Sequence, residues 1–199
     1  TISQETSKAV NALRIRIDPV EDSFLADHLV AGRPLLPTVM GLDLLVRAAA
    51  PGPTGCVVVS DVVVGPPVRF SGARTVSVAT SPAPAIPGRD TDQVCTLTSV
   101  ESGEVHLCAR VGSTAGQAAP AASVDAWTPD LPIGPELVYP PYFHGPTFQV
   151  IGGFGRSGSG FVAELAGGLP PLRWSSGPLQ LRPRLLELFM QACGLVNDH

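Results

Sequence analysis

Residues 37–50 read PTVMGLDLLVRAAA, and this stretch decides the fold class. Proline is favoured at the first helical position because its missing N–H would be unpaired there in any case, so Pro37 marks a helix start. The apolar side chains that cover much of this helix are Val39, Met40, Leu42, Leu44, Leu45 and Val46. A helix that is apolar on most sides is buried, so we expect other elements to surround it.

Strand-like segments lie on both sides of this helix in the sequence. One is predicted near residues 13–17, before the helix. Those after the helix, rich in valine or alternating polar with apolar side chains, are residues 56–64, 75–80, 93–100 and 105–111. Residues 101–104 between the last two are typical of a hairpin turn. An antiparallel sheet wrapped around one central helix is the hot-dog arrangement.

A second unit is predicted to begin further along the chain. Residues 148–154 and 161–165 indicate a hairpin, and residues 183–196 indicate a second apolar helix. The predicted fold class is therefore α+β, a double hot-dog fold whose second unit is incomplete because no strands follow this helix. We expect its apolar face to be covered by residues outside this sequence, another chain or a neighbouring domain. The predicted domains are a first unit at 1–116, a linker at 117–130 and a second unit at 131–199.

The composition excludes several classes of protein. Hydrophobic residues make up 44% of the 199 residues and charged residues 15%, which favours a globular core over disorder. The net charge of −4 argues against nucleic acid or an anionic membrane as the main partner. No apolar run approaches the roughly 20 residues of a membrane span, and the first ten residues lack the order of a signal peptide. We expect a cytoplasmic protein with reduced cysteines, none of which is spaced as a metal-binding pair.

One histidine stands directly before the predicted buried helix. Residues 27–37 read DHLVAGRPLLP, so Gly32 follows His28 by four residues and Pro37 follows Gly32 by five. The imidazole can face a pocket there, and Gly32 lets the backbone approach a ligand and offer its N–H. A lone histidine is more often structural, as we expect for His106 in an alternating strand.

Two further stretches place polar residues among apolar ones. Residues 139–149 read YPPYFHGPTFQ, and residues 182–191 read RPRLLELFMQ. Glu187 and Gln191 lie four residues apart on one helix face, so the amide could hold the carboxyl group in place. The alternatives are a solvated glutamate favoured by the helix dipole and a solvated His144 at a Gly-Pro turn. The apolar neighbours of Glu187 favour a functional role for it.

The spacing of His28, Gly32 and Pro37 resembles the HxxxGxxxxP signature of dehydratase domains in polyketide and fatty acid synthases. In that family the histidine is the catalytic base. The flanking stretches, FLADH at residues 24–28 and LLPTVMG at residues 35–41, look most like the dehydratases of iterative systems. Those systems are the polyunsaturated fatty acid synthases and the enediyne polyketide synthases.

The other two stretches resemble later motifs of the same family, in the family's order. Residues 139–149 are similar to YxYGPxF, with His144 where the second tyrosine is common. The matching positions there are Tyr142, Gly145, Pro146 and Phe148. The family also carries an aspartate four residues before a glutamine or histidine, and here that pair is Glu187 and Gln191. Glutamate is one methylene longer, so an acid role requires a pocket that accommodates its length.

The resemblance implies a role for each of these residues. His28 would be the base and Glu187 the acid, provided that burial raises the pKa of the carboxyl group. Gln191 and Tyr142 would position the reacting groups, and the backbone N–H of Gly32 would stabilise the thioester oxygen. The other residues expected at the substrate are Pro37, Gly145, Pro146 and Phe148.

The implied reaction removes water from a 3-hydroxyacyl thioester and gives a 2-enoyl thioester. No metal or bound cofactor is expected, since the substrate would arrive on the phosphopantetheine arm of an acyl carrier protein. The other expected partners are further domains of the synthase and a second copy of the chain. Two alternatives stay open: a non-catalytic domain that binds an acyl chain, and an isomerase that moves a double bond.

Overall fold

The structure, a computed structural model, describes residues 11–50, 56–84, 86, 91–114, 133–140, 142–157 and 160–197. Contacts divide the chain into two compact units. The described part of the first unit falls within Thr1–Asp18, Met40–Val68 and Gly72–Ala119. That of the second falls within Pro19–Val39, Arg69–Ser71 and Pro120–His199.

The structure contains the predicted strands and helices in the predicted order, together with short elements that the sequence analysis did not predict. In the first half of the chain they are β1 (Asn11–Ile17), β2 (Leu29–Val30), β3 (Arg33–Pro34), α1 (Thr38–Ala49), β4 (Cys56–Val64), β5 (Arg74–Pro82), β6 (Thr91–Ser99) and β7 (Val105–Thr114). In the second half they are α2 (Pro135–Val138), β8 (Ile151–Ser157), β9 (Gly160–Leu165) and α3 (Pro183–Asn197). Short 3-10 helices at Ser23–Asp27 and Pro146–Phe148 precede β2 and β8.

The first unit contains a five-stranded sheet in the order β1-β5-β6-β7-β4, and every pair of neighbours is antiparallel. This confirms the antiparallel sheet predicted from the sequence. Its core is formed by apolar side chains of the sheet and of helix α1, which are almost fully buried: Ile15, Ile17, Met40, Leu44, Leu45, Val46, Val76, Val78, Leu97, Ala109 and Val111. The amide of Gln93 donates to the carbonyl of Ala49 at 2.8 Å, which satisfies one of the orphan carbonyls at the helix end.

His106 has a structural role in this sheet, in agreement with the sequence analysis. Its ring is buried, with Nδ1 2.7 Å from the carbonyl of Pro66 and Nε2 2.7 Å from the hydroxyl of Ser99. Because a carbonyl oxygen only accepts, Nδ1 carries a proton. Both ring nitrogens therefore have hydrogen-bond partners.

The second unit holds two hairpins, β2–β3 and β8–β9, together with α2 and α3. The predicted start of the β8 strand at Phe148 is wrong, since Pro146–Phe148 form a 3-10 turn and the strand begins at Ile151. Proline fixes φ and has no N–H for a strand ladder, which favours the turn. The predicted second helix is confirmed as α3.

Helix α3 leaves several of its apolar side chains exposed, as the sequence analysis predicts. Phe189 is 69% exposed, and Leu185, Met190 and Val196 are exposed as well. Within the described residues, no helix is long and apolar enough to cross a membrane. The predicted linker at 117–130 lies outside the described residues, and the predicted domain boundaries stay predictions.

Candidate active site

His28 is held by the β2–β3 hairpin, which explains the spacing of its motif. The two turn residues between the strands, Ala31 and Gly32, both have positive φ, at 49° and 72°. A two-residue turn of this kind favours glycine and matches the twist of the strands. It returns the chain so that Leu35 lies beside His28. The N–H of Leu35 donates to the His28 carbonyl at 3.0 Å, and the Leu35 carbonyl lies 3.1 Å from Nδ1 of the His28 ring.

This contact determines which nitrogen of His28 can act as a base. The carbonyl of Leu35 only accepts, so Nδ1 carries the proton and the lone pair of the neutral ring is on Nε2. The side chain is buried, at 8% exposure. Burial and the neighbouring His144 lower the pKa of His28 to about 4, although the Glu187 carboxylate and the Leu35 carbonyl oppose that shift. The ring is therefore neutral near pH 7, as a general base must be.

The loop that carries His144 is fixed to the residue before His28. The N–H of Gly145 donates to the carbonyl of Asp27 at 2.7 Å, and the N–H of Thr147 donates to Oδ2 of Asp27 at 3.0 Å. The Thr147 hydroxyl donates to the same carboxylate oxygen. These bonds align the two segments so that His28 and His144 form a single antiparallel bridge, with ring centroids 5.4 Å apart.

Helix α3 presents Glu187 and Gln191 to this loop, one turn apart. The amide nitrogen of Gln191 donates to Oε1 of Glu187 and to the carbonyl of Phe148, both at 2.9 Å. Its oxygen accepts from the hydroxyl of Tyr139 at 3.0 Å, and that hydroxyl accepts from the N–H of Ile151 at 2.7 Å. Because each partner fits only one end of the amide, the orientation of Gln191 is fixed, and Glu187 is fixed with it.

Glu187 is buried, and its Oε1 lies 3.1 Å from Nε2 of His144. Burial raises the pKa of this carboxyl group. The hydrogen bonds from His144 and Gln191 and the electrostatic interactions with His144 and His28 outweigh that effect, so the net pKa of Glu187 is lowered. The raised pKa that an acid role for Glu187 would require is therefore not present, because the donors around the carboxylate are buried with it.

Comparison with known proteins fits this arrangement of residues. A family model described as the polyketide synthase dehydratase domain matches residues 2–96. Among solved structures, the dehydratase domain from the terminal module of the rifamycin polyketide synthase aligns over 92% of this chain and 69% of its own, with TM-score 0.70 and 26% identity. The chain therefore resembles polyketide synthase dehydratase domains in sequence and in fold. Its α+β hot-dog fold is that of the family's solved domains.

Further polyketide synthase proteins are similar to this chain over most of its length. The dehydratase domain from the CurF module of the curacin polyketide synthase covers 96% of this chain with TM-score 0.75 and 20% identity, over 72% of its own length. A component of the pikromycin polyketide synthase of Streptomyces venezuelae is 29% identical over 195 residues, 92% of this chain. The mycoketide-CoA synthase of Mycobacterium tuberculosis is 28% identical over 162 residues, 76% of this chain.

The chain spans only 5% and 4% of the length of these two curated relatives. The resemblance to the iterative subgroup stays a prediction.

The remaining residues that the sequence analysis assigned to the site have different surroundings. Gly32 is exposed at its hairpin turn, and a β-carbon there would meet nothing within 4 Å. The positive φ of the turn explains why a glycine is found at position 32. Its role as a donor to the thioester oxygen stays a prediction. Pro37 is buried directly before helix α1.

Phe148 and Tyr142, two aromatic residues of the 139–149 stretch, make different kinds of contact in the site. Phe148 is fully buried, and its ring meets that of His28 edge to face, with centroids 5.8 Å apart. The Tyr142 hydroxyl donates to the backbone carbonyl of Gln191 at 3.4 Å. A β-carbon at Gly194 would lie 2.9 Å from that hydroxyl, so the tyrosine packs closely on helix α3.

Two residues of this site were missing from the predicted set: Tyr139 and His144. Both stand in the quoted 139–149 stretch, and His144 was left undecided because a histidine before a Gly-Pro turn is often solvated. The structure buries its ring to 8% exposure and stacks it on Phe143, with centroids 4.3 Å apart. The contact of Tyr139 with Gln191 joins residues 52 positions apart, so local sequence gave no signal for it. The part of the chain that the structure describes contains no cluster of three or more potential metal ligands.

Proposed function

We propose that this chain removes water from a 3-hydroxyacyl thioester, giving a 2-enoyl thioester, as a dehydratase of a polyketide synthase. One observation carries the proposal: the buried ring of His28 lies against that of His144, which is paired with the buried carboxylate of Glu187 at 3.1 Å. A base and an acidic counterpart acting on one short piece of substrate are what this elimination requires. The match of residues 2–96 to the dehydratase family model supports the same reaction.

The base side of the reaction rests on His28. The proton on C2 is the acidic one, because the negative charge that forms when it leaves is shared with the thioester oxygen. Nε2 of His28 is the lone pair that can remove it, and the bond from Nδ1 to the Leu35 carbonyl keeps the ring in that tautomer. Phe148 and Phe143 lie edge to face with this ring, which limits how it can turn.

The other side of the reaction centres on Glu187. The C3 hydroxyl must receive a proton as its bond to carbon breaks, since hydroxide is a poor leaving group. Gln191 and His144 hold the Glu187 carboxyl group in one position. Because its pKa is lowered, the carboxylate is ionised near neutral pH, and a proton for the hydroxyl must be held by the carboxylate together with a neighbour.

The solved structures of the CurK dehydratase support the same pair of residue types. These proteins are similar in fold to this chain, with TM-scores of 0.71 and 0.67. Two of them are inactive mutants, one with an aspartate replaced by asparagine and one with a histidine replaced by phenylalanine. In this chain the residue types that correspond to such a pair are Glu187 and His28.

The substrate would be presented on the phosphopantetheine arm of an acyl carrier protein in the cytoplasm. The curated relatives are a component of one polyketide synthase and a mycoketide-CoA synthase, far longer than this chain. The partners we propose are therefore the carrier protein and other catalytic domains of a synthase, with a second copy of the chain as a further one. The chemistry needs only these side chains, so we propose no bound cofactor.

The test is a direct assay of the full chain with 3-hydroxybutyryl thioesters, both on a carrier protein and on N-acetylcysteamine. Formation of the 2-enoyl thioester in the parent and its loss in His28→Ala would support the proposal. A parent that moves the double bond of a 3-enoyl thioester but eliminates no water would instead be an isomerase. A parent that binds the acyl thioester without converting it would be a non-catalytic domain.

A further inference from the structure

One nitrogen in the site is buried without a hydrogen-bond partner among the described residues: Nδ1 of His144. The ring is 92% buried, and its other nitrogen, Nε2, is paired with Glu187 at 3.1 Å. A buried polar atom left without a partner costs about 1–3 kcal/mol, so such an atom in a folded protein needs an explanation. His144 also lies beside His28, with ring centroids 5.4 Å apart.

We propose that His144 is the proton donor to the departing C3 hydroxyl, and that Glu187 acts through it as a positioning carboxylate. This inference deepens the proposed function and rests on it. A carboxylate only accepts, so the 3.1 Å contact requires a proton on Nε2 of His144. In the imidazolium form the second proton is on Nδ1, the one nitrogen of the pair that has no protein partner among the described residues.

The electron and proton balance of the step is complete with these groups alone. Nε2 of His28 takes the C2 proton, the C2 electron pair forms the C2–C3 double bond, and the C3–O bond breaks. The departing oxygen takes the Nδ1 proton of His144 and leaves as water. His28 ends with one proton more and His144 with one fewer, and exchange with solvent restores both. Because the ring centroids of the two imidazoles are 5.4 Å apart, His28 can act at C2 of one substrate while His144 acts at the oxygen on C3.

The two tyrosine hydroxyl groups of the site already have hydrogen-bond partners. The Tyr139 hydroxyl donates to Gln191 and accepts from the Ile151 N–H, and burial raises the pKa of Tyr139 to about 12. The Tyr142 hydroxyl donates to the Gln191 backbone carbonyl. Glu187 itself accepts two hydrogen bonds and its pKa is lowered, which makes it a better partner for a cation than a source of protons.

The decisive experiment compares two leaving groups in the full chain, using 3-hydroxybutyryl and 3-chlorobutyryl N-acetylcysteamine thioesters. Chloride leaves without protonation, whereas the hydroxyl group does not. His144→Gln should lose elimination of water by about 10²–10⁴-fold, the usual contribution of a general acid, while elimination of chloride falls only a few-fold. His28→Ala should lose both, because both need the base.

A matched control comes from the other buried histidine, His106. His106→Gln removes two structural hydrogen bonds and should lower the melting temperature while leaving the ratio of the two elimination rates unchanged. Should His144→Gln fail to fold, Glu187→Gln carries the same test. It removes the negative charge that holds the His144 imidazolium, so it should also lose elimination of water far more than elimination of chloride.

Three outcomes would overturn the inference. Full elimination of water by His144→Gln would show that another group delivers the proton. Equal losses with both substrates at an unchanged melting temperature would show that His144 does not act on the leaving group. A parent that eliminates neither water nor chloride would refute the proposed function itself, and the inference with it. That failure is seen in the parent protein, so it differs from a failure of His144 alone.

Discussion

Gly145 lies so close to Asp27 that a larger residue does not fit at position 145. The Gly145 N–H donates to the Asp27 carbonyl at 2.7 Å, and a β-carbon at this glycine would lie 2.8 Å from the Asp27 Cα. His28 directly follows Asp27, and His144 directly precedes Gly145. The close approach of Gly145 to Asp27 therefore places the two histidines side by side. The glycine of the second motif is therefore a spacer that determines the distance between the two histidines.

Replacing Gly145 by alanine should separate these segments and misplace His144. A shift near 1 Å at a reacting group can cost up to about 10²-fold in rate, and forced overpacking costs about 1–3 kcal/mol of stability. The measurement is turnover together with urea unfolding. Gly72→Ala is the control, because a β-carbon there meets nothing within 4 Å and both quantities should stay unchanged. Wild-type turnover in Gly145→Ala would contradict the spacer role.

Replacing His28 by alanine should abolish dehydration while the fold persists. The loss should be about 10²–10⁴-fold, because the general base is gone. Exchange of the C2 protons of the thioester in D2O should stop as well, which distinguishes loss of the base from loss of the acid. The carbonyl of Leu35 loses its donor, so unfolding should become easier by about 1–3 kcal/mol without a change in the circular dichroism spectrum. Undiminished exchange would exclude His28 as the base.

Much of the fold could be predicted because its signals are local. The proline at residue 37 and the apolar residues after it define helix α1, and valine-rich or alternating segments define the sheet. The start of β8 was misplaced, since an apolar Phe148 looks the same in a strand and in a buried turn. The spacing of the His28 motif was recognised, but its physical reason, the hairpin that returns Leu35 to His28, is visible only in three dimensions.

The site was predictable only in part, because its energetics depend on contacts between distant residues. The pairing of Glu187 with Gln191 follows from helix geometry. The bond from His144 to Glu187 joins a loop to a helix 43 positions away, and this bond helps to determine the direction of the Glu187 pKa. No local pattern indicates that a donor will be buried beside a given carboxylate.

The hydroxyl of Tyr139 should contribute more to stability than that of Tyr142. Tyr139→Phe leaves the buried N–H of Ile151 without its 2.7 Å acceptor and frees the oxygen of Gln191. The expected cost is about 1–3 kcal/mol of unfolding free energy. Tyr142→Phe removes a single bond of 3.4 Å and should cost less. Chemical denaturation of both variants measures the difference, and equal costs would show that the Tyr139 network does not hold Gln191.

The contributions of His28 and Glu187 to the stability of the fold should change with pH in the same direction. His28 has a folded pKa of about 4, below the ordinary value of about 6.5, so between these values the unfolded chain binds more protons than the folded one. Stability should therefore fall as pH falls from about 6.5 to about 4. Glu187, whose pKa is also lowered, adds stability that is lost as pH falls further, through its folded pKa.

Urea unfolding across this range should show the slope, and His28→Ala should show a flatter one between about pH 6.5 and about pH 4. The acid limb of kcat/KM reports the base of the free enzyme, so it should lie well below the ordinary histidine range. An acid limb near about pH 6.5 would show that His28 is charged where the structure requires it to be neutral.

Glu187 is where this chain departs from the aspartate usual in the dehydratases that it resembles, and two substitutions test what that departure means. Glu187→Gln keeps the size and an acceptor oxygen for His144 and Gln191, so the melting temperature should change little. The negative charge is lost, so the side chain can no longer help to hold the proton that the departing C3 hydroxyl must receive. Turnover should fall by about 10²–10⁴-fold.

Glu187→Asp introduces the residue usual in the dehydratases that the chain resembles but draws the carboxylate back by one methylene. Its distance to His144, 3.1 Å in the parent, and to Gln191, 2.9 Å, would both increase unless helix α3 moved inward. A displacement near 1 Å can cost up to about 10²-fold, so Glu187→Asp should be slower than the parent although it carries the more common residue. The loss should appear in turnover at an unchanged melting temperature. A Glu187→Asp variant as fast as the parent would show that the site tolerates either length, and undiminished turnover in Glu187→Gln would remove the carboxylate from the mechanism.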